Sequence, residues 1–155
     1  MEKLTAEDRF EILDIIAQYN LAADEKNVEA TIAFYTEDGY IDGDMSTGKG
    51  KEAMRQDLPD IFATEVTLKR HIASNIRFQK RIGDEVEVGY VLLVMEGGIA
   101  PLTVATSMIT DVYRLVDGEW KVAKHHVAVD PSARWMVKAG EKVQEGMKKV
   151  QEVLN

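Results

Sequence analysis

The chain has three histidines, and His71 is the one with no histidine beside it. It falls in the segment KRHIASNIRF, at the start of a run whose composition is typical of a β-strand. A neutral imidazole can take a proton near neutral pH, because its ordinary pKa is about 6.5. His71 is therefore a candidate proton carrier of an active site. The alternative is a solvated or packed histidine beside Lys69 and Arg70 that has no chemical role.

The other two histidines, His125 and His126, are adjacent and at first sight suggest a metal site. Neighbouring side chains of a strand point to opposite faces, so this pair cannot easily share one ion. The acidic loop IDGDMSTGKG lacks the alternating oxygen ligands and the closing glutamate of a calcium loop. We therefore expect no metal site, and the chemistry considered below needs no organic cofactor.

Composition narrows the class of function. The chain has no cysteine, which excludes disulfides, thiolate metal sites and thiol nucleophiles. A net charge of −8 would repel nucleic acids and anionic membranes. The charged N-terminus does not resemble a signal peptide, and the longest apolar run, YVLLVM, is far shorter than the roughly 20 residues that span a bilayer. We expect a cytoplasmic protein, and its 155 residues predict a single domain.

The first part of the chain predicts three helices. Thr5 and Asp8 have the spacing of a capping box, and FEILDIIAQYNLAADEKN follows with apolar residues at helical spacing. A second helix is predicted over VEATIAFYTED, ended by Gly39. A third begins with KEAMRQDL, and Pro59 is expected to stop it.

From about residue 70 the pattern changes to that of strands. Four segments are rich in β-branched and aromatic residues, and Asp117-Gly118 is a strong hairpin signal between the last two. Consecutive hairpins predict an antiparallel sheet. A final helix is predicted over about residues 132–154. The fold class is therefore α+β, with three N-terminal helices, an antiparallel sheet and a C-terminal helix.

This order of elements resembles the nuclear transport factor 2-like (SnoaL-like) superfamily. The segment YNLAADEKN resembles the end of that family's first helix, and DVYRLVDGEWKVAKHH resembles its last hairpin. The resemblance covers roughly residues 5–130 of a single domain, 1–155. It implies a cone-shaped fold in which a curved sheet and the helices enclose a pocket. It also implies a homodimer formed through the outer face of the sheet.

Within the superfamily, the spacing is similar to that of scytalone dehydratase, bile-acid dehydratases and gamma-hexachlorocyclohexane dehydrochlorinase. The resemblance implies a catalytic pair formed by His71 and Asp24, the aspartate at the end of the first helix. Tyr19 falls where ketosteroid isomerases keep a tyrosine that donates to a carbonyl oxygen. Asn75, four residues after His71, shares its strand face if the side chains alternate regularly.

These residues predict a cofactor-independent lyase, of the dehydratase or dehydrohalogenase type, that acts on a small and largely apolar ring compound. His71 would be the base, Asp24 would orient it, and Tyr19 would polarise a carbonyl. Substrate contacts are expected from Asn75, from Tyr40 on a first short strand, and from His126 on the last strand.

Two other functions remain open. An isomerase or polyketide-cyclase-like enzyme could use Asp42, Asp44 or His126 as its base, with Tyr19 as the donor. A non-catalytic module could bind a small ligand in the same pocket. In each case the partners are a small molecule and a second copy of the chain, and no nucleic acid or membrane is expected.

Overall fold

The computed structural model describes residues 4–64, 68–97, 102–131, 133, 134, 142 and 149. Over these residues the fold is α+β, as the sequence predicted, and the resemblance to a cone-shaped fold is confirmed. In chain order the elements are α1 (Ala6–Asp24), α2 (Val28–Ala33), β1 (Tyr35–Gly43), α3 (Lys51–Ala63), β2 (Lys69–Ile82), β3 (Glu85–Glu96), β4 (Leu102–Val116) and β5 (Glu119–Val129).

Helix α1 begins with the predicted capping box. The Thr5 hydroxyl accepts a hydrogen bond from the backbone N–H of Asp8 at 3.1 Å, and the Asp8 carboxylate accepts one from the backbone N–H of Thr5 at 2.8 Å. These bonds satisfy donors that the first turn of a helix leaves without partners. The buried face of α1 carries Ile12, Ile16 and Tyr19, so the helix packs its apolar stripe on the sheet and places its last residues at the cavity.

The second predicted helix is too long. Helix α2 ends at Ala33, and Tyr35 already begins strand β1, because the aromatic and β-branched residues that follow favour extended backbone. Strand β1 pairs with β5 in parallel, so the sheet is mixed and not wholly antiparallel. The two strands pack tightly at Gly43, where a Cβ atom would lie 2.1 Å from the carbonyl oxygen of Val127.

Helix α3 continues past Pro59 to Ala63, whereas the sequence predicted that the proline would end it. Met54, Leu58 and Phe62 are buried at intervals of four residues, and Pro59 lies on the solvent side. The packing of that apolar stripe outweighs the backbone hydrogen bond that a proline cannot donate. The longer helix brings Phe62 to the wall of the cavity.

The five strands of the described residues form one curved sheet in the order β1-β5-β4-β3-β2. The predicted hairpin turn at Asp117 and Gly118 joins β4 to β5, and both residues have positive φ angles, 53° and 88°. The core lies between the helices and the inner face of this sheet. The C-terminal helix predicted over about residues 132–154 falls almost entirely outside the described residues. None of the described helices is long and apolar enough to cross a lipid bilayer.

Candidate active site

A cavity of about 340 Å³ opens between the helices and the inner face of the sheet. Its walls are mainly apolar, with side chains from α1, β1, α3 and the strands of the sheet. Small-molecule sites have this character, in which a few polar groups fix the orientation of a largely apolar ligand. The polar residues of the lining are Tyr19, Asn20, Thr64, Lys69, His71, Ser107 and His125.

His71 and Asp24 are in direct contact at the edge of this cavity. The Nδ1 atom of His71 lies 2.8 Å from Oδ1 of Asp24, and the same oxygen accepts a hydrogen bond from the His71 backbone N–H at 3.0 Å. The carboxylate is almost fully buried, with 6% of its side chain exposed. Asp24, at the end of α1, therefore holds both the backbone N–H and the imidazole ring of His71 in β2.

Tyr19 and Asp24 lie five residues apart in α1 and therefore point in different directions. Tyr19 lines the cavity directly, whereas Asp24 is not part of the lining and reaches it only through His71. The guanidinium of Arg70 lies 4.0 Å from the second oxygen of Asp24, on the more exposed side. Tyr19 therefore borders the cavity itself, whereas Asp24 lies behind His71 and contacts that histidine.

Tyr19 has a buried hydroxyl that accepts a hydrogen bond from the hydroxyl of Tyr35 at 3.1 Å. Burial raises the pKa of Tyr19 above its ordinary value, although the bond from Tyr35 opposes this. The hydroxyl is therefore neutral at physiological pH. A neutral phenol can donate a hydrogen bond to a ligand without losing its proton.

His125 also lines the cavity, from the last strand, and it is buried. Its Nδ1 atom lies 2.7 Å from Oδ1 of Asp111. The other oxygen of Asp111 accepts hydrogen bonds from Tyr90 at 3.1 Å and from Tyr113 at 3.0 Å. The ring of Tyr19 packs against the imidazole with a centroid distance of 5.1 Å. This buried network was not predicted from the sequence.

His126, which was expected to face the pocket, is not part of the cavity lining. Its Nδ1 atom lies 2.5 Å from Oδ1 of Asp42 on the opposite side of β5. The alternation of the segment HHVAV gives the reason: His125, Val127 and Val129 are buried on one face, so His126 must point to the other. The same alternation could have identified His125, and not His126, as the histidine that faces the cavity.

Asn75 is exposed and lies outside the cavity lining. The strand has a bulge between Ser74 and Arg77, where Asn75 adopts a positive φ of 53°. An extra residue in one strand breaks the alternation of side chains. As a result, Ile76 and Phe78 pack on the core face together with Ala73, which precedes the bulge.

The remaining predicted residues also lie outside the lining. Tyr40 is half-buried, with the ammonium of Lys49 4.8 Å from the centre of its ring. Burial raises the pKa of Asp42, but bonds from His126 and Lys124 outweigh it and hold that pKa below its usual value. The carboxylate of Asp44 accepts the backbone N–H of Val129 at 2.8 Å. Neither aspartate is placed as a base beside Tyr19.

Among the described residues, no group of three histidine or acidic side chains lies close enough together to hold a metal ion. Each of the three histidines instead contacts one aspartate, in pairs formed by residues 24 and 71, 42 and 126, and 111 and 125. Two of these pairs reach the cavity through the imidazole.

No curated protein matches the chain in sequence. Among solved structures, a protein of unknown function with a cystatin-like fold from Nostoc punctiforme is 28% identical, with a TM-score of 0.75 over 84% of this chain and 97% of that chain. ActVI-ORFA from Streptomyces coelicolor is 19% identical, with a TM-score of 0.70 over 79% of this chain and 97% of its own. A putative scytalone dehydratase from Novosphingobium aromaticivorans is 19% identical, with a TM-score of 0.64 over 79% of this chain and 84% of its own. The last two similarities concern the fold alone.

A family model for the SnoaL-like domain matches residues 4–126. The match runs from the cap of α1 into β5 and includes Tyr19, Asp24, His71 and His125. Many functions share one scaffold, so the match identifies the fold and not the reaction. The chain belongs to the SnoaL-like domain family of the nuclear transport factor 2-like superfamily, whose members bind small molecules.

Proposed function

We propose that this SnoaL-like chain is a cofactor-independent lyase that removes water or a halide from a small, largely apolar ring compound. The observation that carries the proposal is the 2.8 Å contact between Nδ1 of His71 and Oδ1 of Asp24 at the wall of the cavity. A neutral histidine held by a carboxylate is well suited to take a proton from carbon.

His71 is the base in this reaction. The carboxylate of Asp24 accepts a hydrogen bond from Nδ1–H of His71, which selects the tautomer whose lone pair is on Nε2. Nε2 lies on the opposite edge of the ring and is the atom that takes the substrate proton. Asp24 then stabilises the imidazolium that forms, because an ionised partner is already in place.

Tyr19 is the donor that polarises the substrate carbonyl. A proton next to a carbonyl is easier to remove when the oxygen receives a hydrogen bond as negative charge develops on it. The raised pKa of Tyr19, caused by burial, keeps this donor in its neutral form. Tyr19 stabilises the intermediate and does not transfer a proton itself.

The cavity supports the expected class of substrate. Its apolar walls include Leu58 and Phe62 from α3 and Leu92 from β3, which favour an uncharged hydrocarbon ring. A volume of about 340 Å³ lies at the small end of ligand sites, which span roughly 300–1,000 Å³. Among the polar residues of the lining, Tyr19, His71 and His125 limit where a carbonyl and a leaving group can bind.

The proposal is tested with 3-hydroxy-1-tetralone and its 3-chloro analogue, which both yield 1-naphthol after elimination and tautomerisation. We expect the wild-type protein to accelerate the formation of 1-naphthol above the spontaneous rate, as followed by fluorescence. His71→Ala should lower this acceleration by about a hundredfold or more, and Asp24→Asn by about a hundredfold. His126→Asn is the matched control, since that histidine lies outside the lining.

Two results contradict the proposal. Equal rates for the wild type and His71→Ala would remove the histidine from the chemistry. No acceleration of either ketone, combined with tight binding of 1-naphthol, would favour the non-catalytic binding module. Far-ultraviolet circular dichroism of each variant verifies that the fold is retained.

We also propose that the chain forms a homodimer through the outer face of the sheet. On this face Ile72 lies opposite Leu93, and Met108 lies opposite Val91, in neighbouring strands. Ile72 is 44% exposed and Met108 is 50% exposed. These four residues form the outer patch, an apolar surface of a kind that often marks a protein interface.

A further inference from the structure

The two carboxylate oxygens of Asp24 have different surroundings. Oδ1 accepts a hydrogen bond from the backbone N–H of His71 at 3.0 Å and lies 2.8 Å from Nδ1 of the same residue. Oδ2 faces Nη1 of Arg70 at 4.0 Å. The side chain of Asp24 is 6% exposed, whereas that of Arg70 is 52% exposed. The buried carboxylate thus contacts the proposed base with one oxygen and faces a surface cation with the other.

An aspartate held against a histidine has two opposite effects on that histidine as a base. It orients the ring, but its negative charge also favours the protonated form of the imidazole. An imidazolium has no lone pair with which to take a proton from carbon. A histidine base that works near neutral pH therefore requires that the charge of its aspartate be partly balanced by another group.

We propose that Arg70 is a positioning residue that acts through Asp24: its positive charge offsets part of the carboxylate charge and so keeps His71 unprotonated at neutral pH. Arg70 is not part of the cavity lining, so it does not contact the substrate. This inference rests on the proposed lyase function and sets the pH range over which that function operates.

A second contact holds the guanidinium in place. Nη1 of Arg70 donates a hydrogen bond to the backbone carbonyl of Lys69 at 3.0 Å. Neighbouring residues of a strand point to opposite faces, so Arg70 leaves the cavity side of β2 to His71. Strand β2 is also the last strand in the order of the described sheet, which leaves room beside it for Asp24. The cation is therefore held next to the carboxylate without occupying the cavity.

Other charged residues near His71 occur as neighbours of opposite sign. On the same strand, Lys69 lines the cavity and is paired with Glu96 of β3 at 2.7 Å. Glu25 and Lys26, which follow α1, are both exposed. Because each of these cations has an anion beside it, their effects on the proton of His71 largely cancel.

The cavity side of His71 adds few charges. The residue opposite it in β3 is the apolar Val94, and the residues that α3, β1 and β4 contribute to the lining are uncharged. Burial raises the pKa of Tyr19, which is therefore neutral, and His125 is paired with Asp111 at 2.7 Å. Arg70 is thus the cation that the structure places against the aspartate of the proposed base.

A proton NMR titration tests this role without any substrate. The ring signal of His71 is assigned by its loss in His71→Ala and is followed from about pH 5 to about pH 9. We expect its midpoint to rise by about half a pH unit in Arg70→Gln and in Arg70→Met, as the strength of an exposed ion pair implies. Arg70→Lys, which keeps the charge, should restore at least half of this shift.

Arg77→Gln is the matched control, because it removes the same charge from an exposed side chain of the same strand, beyond the bulge. Its His71 signal should titrate as in the wild type. The signal of His126, on the outer face of β5, should not move in any variant. In about 1 M NaCl the difference between the wild type and Arg70→Gln should shrink, because salt screens an exposed charge.

The pH profile of the elimination provides a second measurement. The rate falls as His71 takes up a proton, so kcat/KM of Arg70→Gln for 3-hydroxy-1-tetralone should be about threefold below the wild type on the acid limb. On the alkaline plateau the two proteins should agree, because His71 is neutral in both. A residue with a purely structural role would lower the rate at every pH.

The outcomes distinguish this inference from the lyase proposal. An unchanged His71 midpoint in both neutral variants of Arg70 would overturn the inference, and so would an equal shift in Arg77→Gln. Either result leaves His71 as the base. If the wild type converts neither ketone, the lyase proposal fails, and the NMR titration still decides whether Arg70 controls the proton on His71.

Discussion

The hydroxyl of Tyr35 donates a hydrogen bond to the hydroxyl of Tyr19 over 3.1 Å, between β1 and α1. The two rings meet edge to face with centroids 5.8 Å apart. Because the oxygen of Tyr19 accepts this bond, its own proton is directed to another acceptor, and Tyr19 lines the cavity. Tyr35, which is outside the cavity lining, thus sets the direction in which the Tyr19 hydroxyl can donate a hydrogen bond.

This relationship predicts different effects for two conservative substitutions. Tyr19→Phe removes the donor itself and should lower kcat for 3-hydroxy-1-tetralone by about a hundredfold. Tyr35→Phe keeps the Tyr19 hydroxyl but removes the hydrogen bond that orients it, so we expect kcat to fall by only about tenfold. The free energy of unfolding should fall by about 1–3 kcal/mol. Steady-state kinetics and urea unfolding measure the two effects.

Tyr40→Phe is the control for these substitutions, because Tyr40 is half-buried and outside the cavity lining. Its kinetics should match the wild type. A Tyr19→Phe protein with unchanged kcat would show that the carbonyl is polarised by another group. A Tyr35→Phe protein that is less active than Tyr19→Phe would contradict the orienting role.

The sequence predicted the local structure best where packing and propensity agree. The capping box of α1 and the hairpin turn at Asp117 and Gly118 were both confirmed, because each depends on residues close together in the chain. The start of β1 at Tyr35, inside the segment predicted as helix, and the extension of α3 beyond Pro59 were missed. In both cases contacts with distant elements, parallel pairing with β5 and burial of Phe62, decided the local structure.

The residues of the candidate site also include some that were predicted correctly and others that were misplaced or missed. The expectation that Asp24 meets His71 came from a family resemblance, because no local pattern connects residues 47 positions apart in the chain. Asn75 was misplaced by a bulge, which a regular period of two cannot anticipate. His125 was missed although the alternation of its own segment indicated the inner face. Its partner Asp111 lies on a different strand and could be identified only from the fold.

Asp8 is one of the carboxyl groups that make the stability of the fold fall at acid pH. Its pKa is lowered, first by the hydrogen bond with the Thr5 side chain and then by one from the indole of Trp120. A carboxyl group with a lowered pKa in the folded state stabilises the protein above its unfolded pKa of about 3.9, and this contribution disappears as the pH falls. Thr5→Ala should cost about 1 kcal/mol at pH 7 and a smaller amount at pH 3.

Urea unfolding at pH 7 and pH 3 tests this prediction. Asp14→Asn is a suitable control, since it changes an exposed acid in the middle of the same helix. A loss in Thr5→Ala that is equally large at both pH values would contradict the link between the cap and the ionised form of Asp8. A control that loses as much as Thr5→Ala would indicate a general charge effect.

Four buried tyrosines should make the free energy of unfolding fall at alkaline pH. Burial is the main cause of raised pKa values for Tyr19, Tyr35, Tyr90 and Tyr113. A group whose pKa is higher in the folded state contributes its full stability below the unfolded pKa of about 10, and this is lost as the pH rises above it. Each such tyrosine should cost up to about 1.4 kcal/mol of unfolding free energy per pH unit above 10.

Absorbance at 295 nm follows the ionisation of tyrosine, and circular dichroism follows the fold. We expect the absorbance of these four residues to rise together with unfolding and not before it. Tyr113→Phe should show a shallower decline of stability with pH, because one titrating group is gone while the lysines are unchanged. Ionisation of two or more tyrosines near pH 10 in a still-folded protein would contradict the prediction.

The proposed dimer predicts a mass that depends on the outer patch. Light scattering coupled to gel filtration should give twice the chain mass of 17.4 kDa for the wild type. Met108→Glu places a charge in the middle of this apolar surface, where a desolvated and unpaired carboxylate is costly, so the mass should fall to that of one chain.

Leu21→Glu provides the matched control for this charge. Leu21 is 57% exposed on α1, away from the outer patch, so the variant should keep the mass of the wild type. A wild-type protein that has the mass of one chain at high concentration would refute the dimer. A Met108→Glu protein that is still a dimer would show that the interface does not include the outer patch, because a buried interface cannot accept that carboxylate without losing affinity.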